Sequence, residues 1–330
     1  MTPTALATIN RPQLLTFPQL DRDPDVLTQL LADKRSVNTK RTYAGDVRDF
    51  FATVTGQLPT KASVNAFLRL PERDAVSLVL KWKAGMMSGE GRKKPLAEAT
   101  INRRLAAIKS LVTMGLNLGV CDYNLARVKG ETIAKYRDTT GINKATFERI
   151  LSTCDRETVA GKRDYALLRL LWGNALRRNE VSQLNLADFK LGARTLRILG
   201  KGKGTQYETV DLGAATAQAI TDWLAVRPGS AGETDPLFVA LNYAALGHRL
   251  TGDGLYKLVQ TRTKKAGIEK VMSPHRIRHS AITAALDATD GNVRKVQKLS
   301  RHRKLDTLMI YDDNRSRDQG AVTDLLDGMF

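Results

Sequence analysis

The sequence predicts a mainly α-helical protein with two domains and one small β-sheet. Apolar residues recur at three- and four-residue steps along most of the chain, which is the period of helices that pack on one side. One pair of short alternating runs, on either side of a turn rich in Gly and Lys, has instead the pattern of an antiparallel β-hairpin. A length of 330 residues is enough for two domains of ordinary size.

The chain opens with a proline-containing stretch, residues 1–25, for which we expect an irregular arm. Residues 26–128 are then predicted to form the first domain, a small helical bundle. Ser36 is positioned to cap a helix with an apolar face. The residues expected on that face are Tyr43, Val47, Phe50, Phe51 and Val54.

Two further helices are predicted in the first domain. One covers residues 74–86, and the other is a long helix for which Thr100 is the expected N-cap. Glycines and a proline in residues 87–95 predict an exposed loop between them. Their expected core residues are Val76, Val79, Leu80 and Trp82 in the first helix, and Ile101, Leu105, Ile108, Leu111 and Val112 in the second.

Residues 129–141 are polar with few apolar anchors, which indicates a linker between domains. The second domain is predicted over residues 142–330, with an early helix over 162–174. Two alternating runs, 195–200 and 207–212, then predict the hairpin.

The hairpin turn contains two lysines that would lie at the tip of an exposed finger. They are Lys201 and Lys203, within the sequence GKGKG. A solubilising turn is the alternative interpretation of this pair, since turns are commonly polar.

A formal charge of +18 and a pI near 10.0 make a polyanion the expected partner. Residues 1–140 contain 22 basic and 13 acidic side chains and the remainder contains 30 and 21, so each half has a net charge of +9. An even distribution predicts a clamp in which each domain covers part of a DNA duplex. Candidate DNA contacts in the first domain are Lys40, Arg41, Arg103 and Arg104, with solvated surface as the alternative for each.

Several classes of protein are disfavoured by the composition. No apolar run approaches the roughly 20 residues that a membrane-spanning helix needs, and the N-terminus does not resemble a secretory signal, so we expect a cytoplasmic protein without a membrane partner. Two distant cysteines, Cys121 and Cys154, fit a reduced protein without a disulfide framework. We also expect no metal and no nucleotide cofactor, because neither a zinc-type cluster nor a phosphate-binding GxxxxGK[ST] loop occurs.

A candidate site for phosphoryl transfer lies in the last fifth of the chain, between SPHRIRHS (273–280) and LSRHRKLDTLMIYDD (299–313). On a helix, His275 and Arg278 would share one face and could contact the same anion. His302 and Tyr311 follow at defined separations, with Leu305, Leu308 and Ile310 as apolar anchors that could hold the Tyr hydroxyl inward. A core tyrosine among ordinary surface cations is the alternative.

Four sequence blocks together resemble the tyrosine recombinase (phage integrase) family, over about residues 140–315. They are ALRRNEV (175–181), GKGKG (200–204), SPHRIRHS (273–280) and LSRHRKLDTLMIY (299–311), in the family's order. The first domain is similar to the family's helical, SAM-like core-binding domain, and the second to its catalytic domain. The resemblance implies catalytic roles for Arg177, Lys201, His275, Arg278, His302 and Tyr311, with Glu180 in a supporting role and Lys203 as a weaker rival to Lys201.

These residue types suit the breakage of a DNA phosphodiester. Arg177 and Arg278 can donate forked hydrogen bonds to the non-bridging oxygens, and Lys201 can protonate the departing 5′-oxygen. The Tyr311 hydroxyl can attack the phosphorus once a base such as His275 accepts its proton. The resulting 3′-phosphotyrosine would conserve the bond energy, so that strands could be exchanged through a Holliday junction without ATP.

Two departures from the family pattern add cations near the site. Arg301 stands where the family usually has Gly, so we expect a locally different turn and a further cation near the phosphate. Arg178 stands where an apolar residue is common, as a backbone-phosphate contact or a surface ion pair. Two other activities remain open: a type IB topoisomerase-like or telomere-resolving enzyme, and a DNA-binding protein of the same fold that has lost cleavage.

The resemblance also implies how the protein assembles. We expect double-stranded DNA with an inverted-repeat target site as the partner, a homodimer on that site and a homotetramer at synapsis. The apolar residues within 321–330 could dock on a neighbouring protomer, and an ordinary C-terminal helix is the alternative. We expect the protein to be of bacterial, phage or plasmid origin and to be associated with the nucleoid.

Overall fold

A computed structural model describes residues 23–91, 94–133, 141–200, 206–302, 305, 308 and 318–329. The chain divides into two compact units, Met1–Tyr136 and Arg137–Phe330. Most of the predicted N-terminal arm lies outside the described residues. So do four residues of the predicted site and its surroundings: Lys201, Lys203, Ile310 and Tyr311. Among the helices that the structure describes, none has the length and apolar character needed to cross a membrane.

The first unit is all-helical in its described part. Its helices are α1 (Val26–Asp33), α2 (Val37–Thr55), α3 (Lys61–Leu68), α4 (Glu72–Ser88) and α5 (Glu98–Asn117). An aromatic cluster from α2, α3 and α4 fills the core, with the Phe50 ring edge-on to Phe51, Phe67 and Trp82 at centroid distances of 5.1 to 5.3 Å. Edge-on packing of this kind adds to the free energy gained by burying large rings.

The start of α2 follows the predicted capping chemistry. The Ser36 side chain accepts a hydrogen bond from the Thr39 backbone N–H at 3.4 Å, which confirms Ser36 as the N-cap. The helix ends at Gly56, whose φ of 70° is the left-handed conformation that glycine adopts without steric cost. Val47, Phe50 and Phe51 are buried as predicted.

Two predictions for the first unit are wrong. Helix α5 begins at Glu98 with Ala97 as its N-cap, so Thr100 is inside the first turn. The Leu96 N–H bonds to the Met86 carbonyl at 3.0 Å, which brings the chain back onto α4 and lets the helix begin before Thr100. Leu80 is 45% exposed, because the buried stripe of α4 follows other positions. That stripe is Ala75, Val79, Trp82 and Met86.

The second unit combines helices with one sheet. Its helices are α6 (Lys144–Ser152), α7 (Val159–Gly173), α8 (Arg178–Ser182), α9 (Ala214–Leu224), α10 (Gly252–Lys265), α11 (Pro274–Asp287), α12 (Val293–Ser300) and α13 (Asp318–Asp327). Its strands are β1 (Phe189–Lys190), β2 (Thr195–Leu199) and β3 (Tyr207–Asp211), and short 3₁₀ turns cover Leu186–Asp188 and Tyr243–Ala245.

The three strands form an antiparallel sheet in the order β1-β2-β3, and β2 and β3 confirm the predicted hairpin. Thr195 pairs with Asp211 at one end and Leu199 with Tyr207 at the other, so the ladder runs up to the lysine-containing turn. Strand β1 was not predicted, since two residues are too few to show an alternating pattern.

A small apolar cluster brings the later helices together. It consists of Ala175, Ala281, Ile282, Leu286, Val296 and Leu308, all buried. Leu308 is therefore a core anchor as predicted, whereas Leu305 is partly exposed. The cluster joins the segment before α8 to α11, α12 and Leu308, which are the parts of the chain that contain the predicted site residues.

The burial pattern of the first unit can be tested by making the same Leu→Ala substitution at a buried and at an exposed position. Leu68→Ala should lower the free energy of unfolding by about 2–5 kcal/mol, because Leu68 is completely buried. Leu80→Ala should change it by less than about 0.5 kcal/mol, because much of that side chain is already in water. Urea denaturation of both variants measures the difference, and equal losses would contradict the placement of Leu80.

Candidate active site

Arg177 lies immediately before α8 and is held by Glu180. The Arg177 backbone N–H donates to Glu180 Oε2 at 2.8 Å, and Arg177 Nη1 donates to Glu180 Oε1 at 2.6 Å. The carboxylate is buried, with 2% of the side chain exposed. Glu180 therefore holds both the main chain and the guanidinium of Arg177, and its supporting role in catalysis stays a prediction.

Arg278 projects from α11 and bonds to two chain segments that are distant in sequence. Its helix begins with Ser273 as the N-cap and Pro274 in the first turn. The buried Arg278 guanidinium donates through Nη1 to the Ala175 carbonyl, and through Nη2 to the Ser300 carbonyl at 2.5 Å. These bonds bring the ends of α8, α11 and α12 to one place.

Arg301 is the residue at which the structure differs most from the expected phosphate contact. Its φ of 55° and ψ of 38° end α12 in the left-handed conformation, so the turn expected of glycine is kept with an arginine in place. Its side chain is 6% exposed and Nη2 donates to Glu180 Oε2 at 3.0 Å. Nη1 donates to the carbonyls of Leu299 and Asn174 at 2.7 and 3.2 Å. The guanidinium thus faces the interior.

The charges around Glu180 decide its ionisation. Burial by itself would raise the pKa of Glu180, but the Arg301 guanidinium, the backbone N–H and the guanidinium of Arg177 outweigh burial and lower it. The carboxylate is therefore ionised at neutral pH. Arg278 adds a third guanidinium, bonded to backbone carbonyls and not to Glu180, so the site has more positive than negative charges and is suited to an anion.

His302 stands next to this cationic cluster and is neutral at pH 7. Burial lowers its pKa to about 4, and the charges of Arg278, Arg177 and Arg301 act in the same direction. Arg278 Nη2 lies 3.3 Å from His302 Nε2, and because a guanidinium can only donate, the ring nitrogen accepts. The neutral tautomer inferred from this contact has its proton on Nδ1.

His275 and His279 form a pair on the exposed side of α11. Their Nε2 atoms are 2.8 Å apart and the rings are edge-on, with centroids separated by 4.2 Å. At this distance the two ring nitrogens are within hydrogen-bonding range, and the tautomer of each ring decides which one donates. His279 was missed by the sequence analysis, although its position four residues after His275 in a predicted helix was a usable signal.

The structure thus brings Arg177, Glu180, Arg278 and His302 together, with His275 on the same helix as Arg278. Lys201, Lys203 and Tyr311 lie outside the described residues. The catalytic roles of all the predicted site residues remain predictions. Arg178 Nη1 lies 3.3 Å from Asp253 Oδ1 on the surface. This is the surface ion pair that the sequence analysis gave as one of two alternatives for Arg178.

The basic residues predicted in the first unit divide into two groups. Arg103 pairs with the buried Asp46, and Arg104 with Asp49, so both are engaged between α2 and α5. Burial raises the pKa of Asp46 despite these partners. Near the start of α2, Lys40 is half-buried and Arg41 is exposed, with Arg41 Nη2 donating to Asn38 Oδ1 at 2.6 Å, and both side chains can reach a phosphate.

Within the part of the chain that the structure describes, no three His, Cys, Asp or Glu side chains gather as metal ligands. The described cluster has the chemistry of an anion-binding site. Arg177 and Arg278 are two forked donors, and the neutral imidazole of His302, just after the end of α12, lies beside Arg278.

The comparisons with known proteins agree with this geometry. The model of the phage integrase family matches residues 141–317. The chain is 49% identical over 302 residues to tyrosine recombinase slr0733 of Synechocystis sp., covering 92% of this chain and 94% of that one. It is also 49% identical to tyrosine recombinase Synpcc7942_B2651 of Synechococcus elongatus, covering 92% and 93%. A crystal structure of XerH bound to difH DNA has the same fold, with a TM-score of 0.65, 23% identity and coverage of 91% and 84%.

The depressed pKa of His302 predicts a dependence of stability on pH. The unfolded chain binds a proton at its ordinary pKa of 6.5 and the folded chain only near 4, so the contribution of neutral His302 is complete above pH 6.5 and is lost as the pH falls toward 4. After allowance for the partial exposure of the ring, the free energy of unfolding of the wild type should fall by about 1–2 kcal/mol more than that of His302→Gln between pH 6.5 and pH 4. Urea denaturation of both proteins at several pH values measures it, and identical pH profiles would contradict it.

Proposed function

Because the chain belongs to the phage integrase family and is a tyrosine recombinase, an enzyme of site-specific DNA recombination, we propose that it cleaves DNA through a covalent 3′-phosphotyrosine on Tyr311. The observation that supports this most is the convergence of Arg177 and Arg278. Two guanidiniums held from behind by a carboxylate and by backbone carbonyls are preorganised for the two non-bridging oxygens of one phosphodiester.

In the proposed cleavage step, the Tyr311 oxygen attacks the phosphorus in line with the departing 5′-oxygen. The bond from phosphorus to the 5′-oxygen breaks, and that oxygen takes a proton from Lys201. The tyrosine proton passes to His275, whose exposed ring lies within hydrogen-bonding distance of His279. Arg177 and Arg278 stabilise the negative charge that grows on the phosphoryl oxygens.

The neutral state of His302 suits a hydrogen-bonding role beside the phosphate. A fourth positive group among three guanidiniums would cost free energy in the free protein, and the low pKa reflects that cost. Neutral His302 can accept from Arg278 at Nε2 in the free protein and reorient its N–H toward a bound phosphate.

Rejoining follows from the same groups acting in reverse. The phosphotyrosine keeps the free energy of the broken bond, so a 5′-hydroxyl of another strand can attack it and release Tyr311 without ATP. Exchange of one pair of strands would produce a Holliday junction, and exchange of the second pair would complete recombination between two sites.

The first unit completes the DNA-binding surface in this proposal. We assign residues 26–128 as a helical core-binding domain, 129–141 as the linker and 142–330 as the catalytic domain. Lys40 and Arg41 offer contacts to backbone phosphates, and Arg103 reaches the surface next to its partner Asp46, since 42% of its side chain is exposed. A net charge of +9 in each half supports DNA contacts from both parts of the chain.

The C-terminal helix supports assembly on DNA. In α13, Leu325, Leu326 and the following Met329 are 67%, 53% and 73% exposed. Exposed apolar side chains on a terminal helix gain free energy by docking elsewhere, and we assign them to a neighbouring copy of this chain. The proposed assembly is a dimer on an inverted-repeat site and a tetramer at synapsis, in which docking of a helix that follows Tyr311 in the sequence couples the active sites.

Removal of one hydroxyl tests the nucleophile. Tyr311→Phe should bind DNA with unchanged affinity and form no covalent adduct, because the phenyl ring cannot attack phosphorus. A nicked suicide substrate traps the adduct, which denaturing gel electrophoresis then resolves. Tyr243→Phe is the matched control, since Tyr243 is fully exposed elsewhere in the same unit and should react at the wild-type rate. An adduct of undiminished yield in Tyr311→Phe would place the nucleophile elsewhere.

The docking role of α13 can be tested without shortening the chain. Leu325→Ser with Leu326→Ser should leave half-site binding intact and weaken the cooperativity of binding to a full inverted-repeat site by about tenfold, because the apolar contact with the neighbour is lost. Band-shift titration measures both quantities. Leu246→Ser, at another exposed leucine, is the control. Unchanged cooperativity in the double variant, or loss of folding detected by circular dichroism, would contradict trans docking.

A further inference from the structure

We propose that Arg301 is a positioning residue, which holds Arg177 in its phosphate-binding orientation through Glu180. The proposal rests on the role assigned above to Arg177. Arg301 occupies the left-handed turn that ends α12, next to the site. The same residue was expected from the sequence to contact DNA directly.

The carboxylate of Glu180 has two oxygens, and each has a defined partner. Oε1 accepts from Arg177 Nη1, whereas Oε2 accepts from the Arg177 backbone N–H and from Arg301 Nη2. A carboxylate with one guanidinium on each oxygen cannot rotate without breaking a bond. Arg301 therefore adds a second donor to Oε2, beside the Arg177 backbone N–H, and helps to fix the plane of the carboxylate that orients the Arg177 guanidinium.

Arg301 also changes the charge that a phosphate meets. An isolated pair of Arg177 and Glu180 has a net charge of zero, so the carboxylate would oppose much of the attraction between Arg177 and an anion. With Arg301 on the far oxygen, the carboxylate is shared between two guanidiniums and the trio has a net charge of +1. The positive field of Arg177 is thereby retained where the phosphate binds.

The main chain of Arg301 contributes to the same arrangement. Its carbonyl oxygen lies 3.5 Å from Arg177 Nη2, on the second arm of that guanidinium. Its side chain returns to the Leu299 carbonyl in α12 and to the Asn174 carbonyl before α8. The last turn of α12 is thus joined to the start of α8 by one residue, with Arg177 between its carbonyl and Glu180.

A direct DNA contact by Arg301 is disfavoured by this geometry. Its side chain is almost completely buried, and both Nη atoms donate to Glu180 or to backbone carbonyls. To reach a phosphate, Arg301 would have to break these bonds and leave Glu180 short of one buried partner.

The decisive experiment is Arg301→Gly in the 330-residue protein on a nicked suicide substrate. Glycine adopts the left-handed conformation freely, so the turn is preserved while the guanidinium is lost. We expect covalent adduct formation at saturating protein to slow by about tenfold or more, with half-site affinity within about threefold of wild type. A wild-type rate of adduct formation, or an affinity that falls as much as the rate, would overturn the proposal.

Arg194→Gly is the matched control. Arg194 also has a positive φ, 49°, and lies exposed in the turn between β1 and β2. Its replacement removes the same charge and relieves the same backbone conformation away from the site. We expect adduct formation within about twofold of wild type. A slowing equal to that of Arg301→Gly would assign the effect to net charge and overturn the proposal.

A double-variant cycle identifies the path of the effect. If Arg301 acts through Glu180, then Arg301→Gly should slow cleavage by no more than about threefold in a Glu180→Gln background, in contrast with its effect in wild type. Multiplication of the two single effects would show independent action and would overturn the positioning role. Absence of any adduct from the wild-type protein would instead refute the proposed function, so the two failures are distinguishable.

Two measurements keep the test decisive if Arg301→Gly does not fold. Arg301→Lys retains the charge that compensates Glu180 but has no forked donor, and we expect a rate about threefold to tenfold below wild type. A full wild-type rate would show that a positive charge at position 301 is enough for cleavage, and it would overturn the positioning role. The second measurement needs no activity: the Arg177 Nε–H resonance, identified by its absence in Arg177→Lys, should be sharp in wild type and broadened in Arg301→Lys. An unchanged resonance would contradict the positioning role.

Discussion

The buried carboxylate of Glu180 is the interaction on which the arrangement of the site depends. An ionised carboxylate with 2% of its side chain exposed would be severely destabilising without partners, and here it has two guanidiniums and a backbone N–H. Those partners come from the start of α8 and from the end of α12, which are more than 120 positions apart along the chain. Satisfying one charge therefore brings two distant segments together and leaves Arg177 oriented.

Backbone carbonyls extend this constraint to the third segment. Arg278, on α11, donates to the carbonyls of Ala175, two positions before Arg177, and of Ser300, directly before Arg301. Ala175 and Arg301 both have positive φ, a conformation that costs a non-glycine residue roughly 1 kcal/mol or more. The carbonyls exposed by these turns are the acceptors that the buried guanidiniums need, so the unusual backbone and the arginines stabilise each other.

Helix α8 shows why such tethering is necessary. Five residues are too few for a helix to be stable alone, and its position must come from tertiary bonds. Glu180 and Arg301 hold its first turn, while Arg249 donates to the carbonyls of Ser182 and Leu184 at its other end. For a recombinase, whose in-line reaction tolerates little error in phosphate position, a short helix fixed at both ends is a rigid support for Arg177.

Local sequence determined helices α2, α4, α5 and α7, the β2–β3 hairpin, the Ser36 cap and the residues that resemble the catalytic blocks, because side-chain period and capping chemistry act between near neighbours. Tertiary structure decided the exposure of Leu80, the start of α5 before Thr100, the contact of His279 with His275 and the inward direction of Arg301. The Arg301 result has the clearest reason. An arginine after a helix reads from sequence as a surface cation, and whether it faces solvent or a buried carboxylate depends on where Glu180, 121 positions away, is placed by the fold.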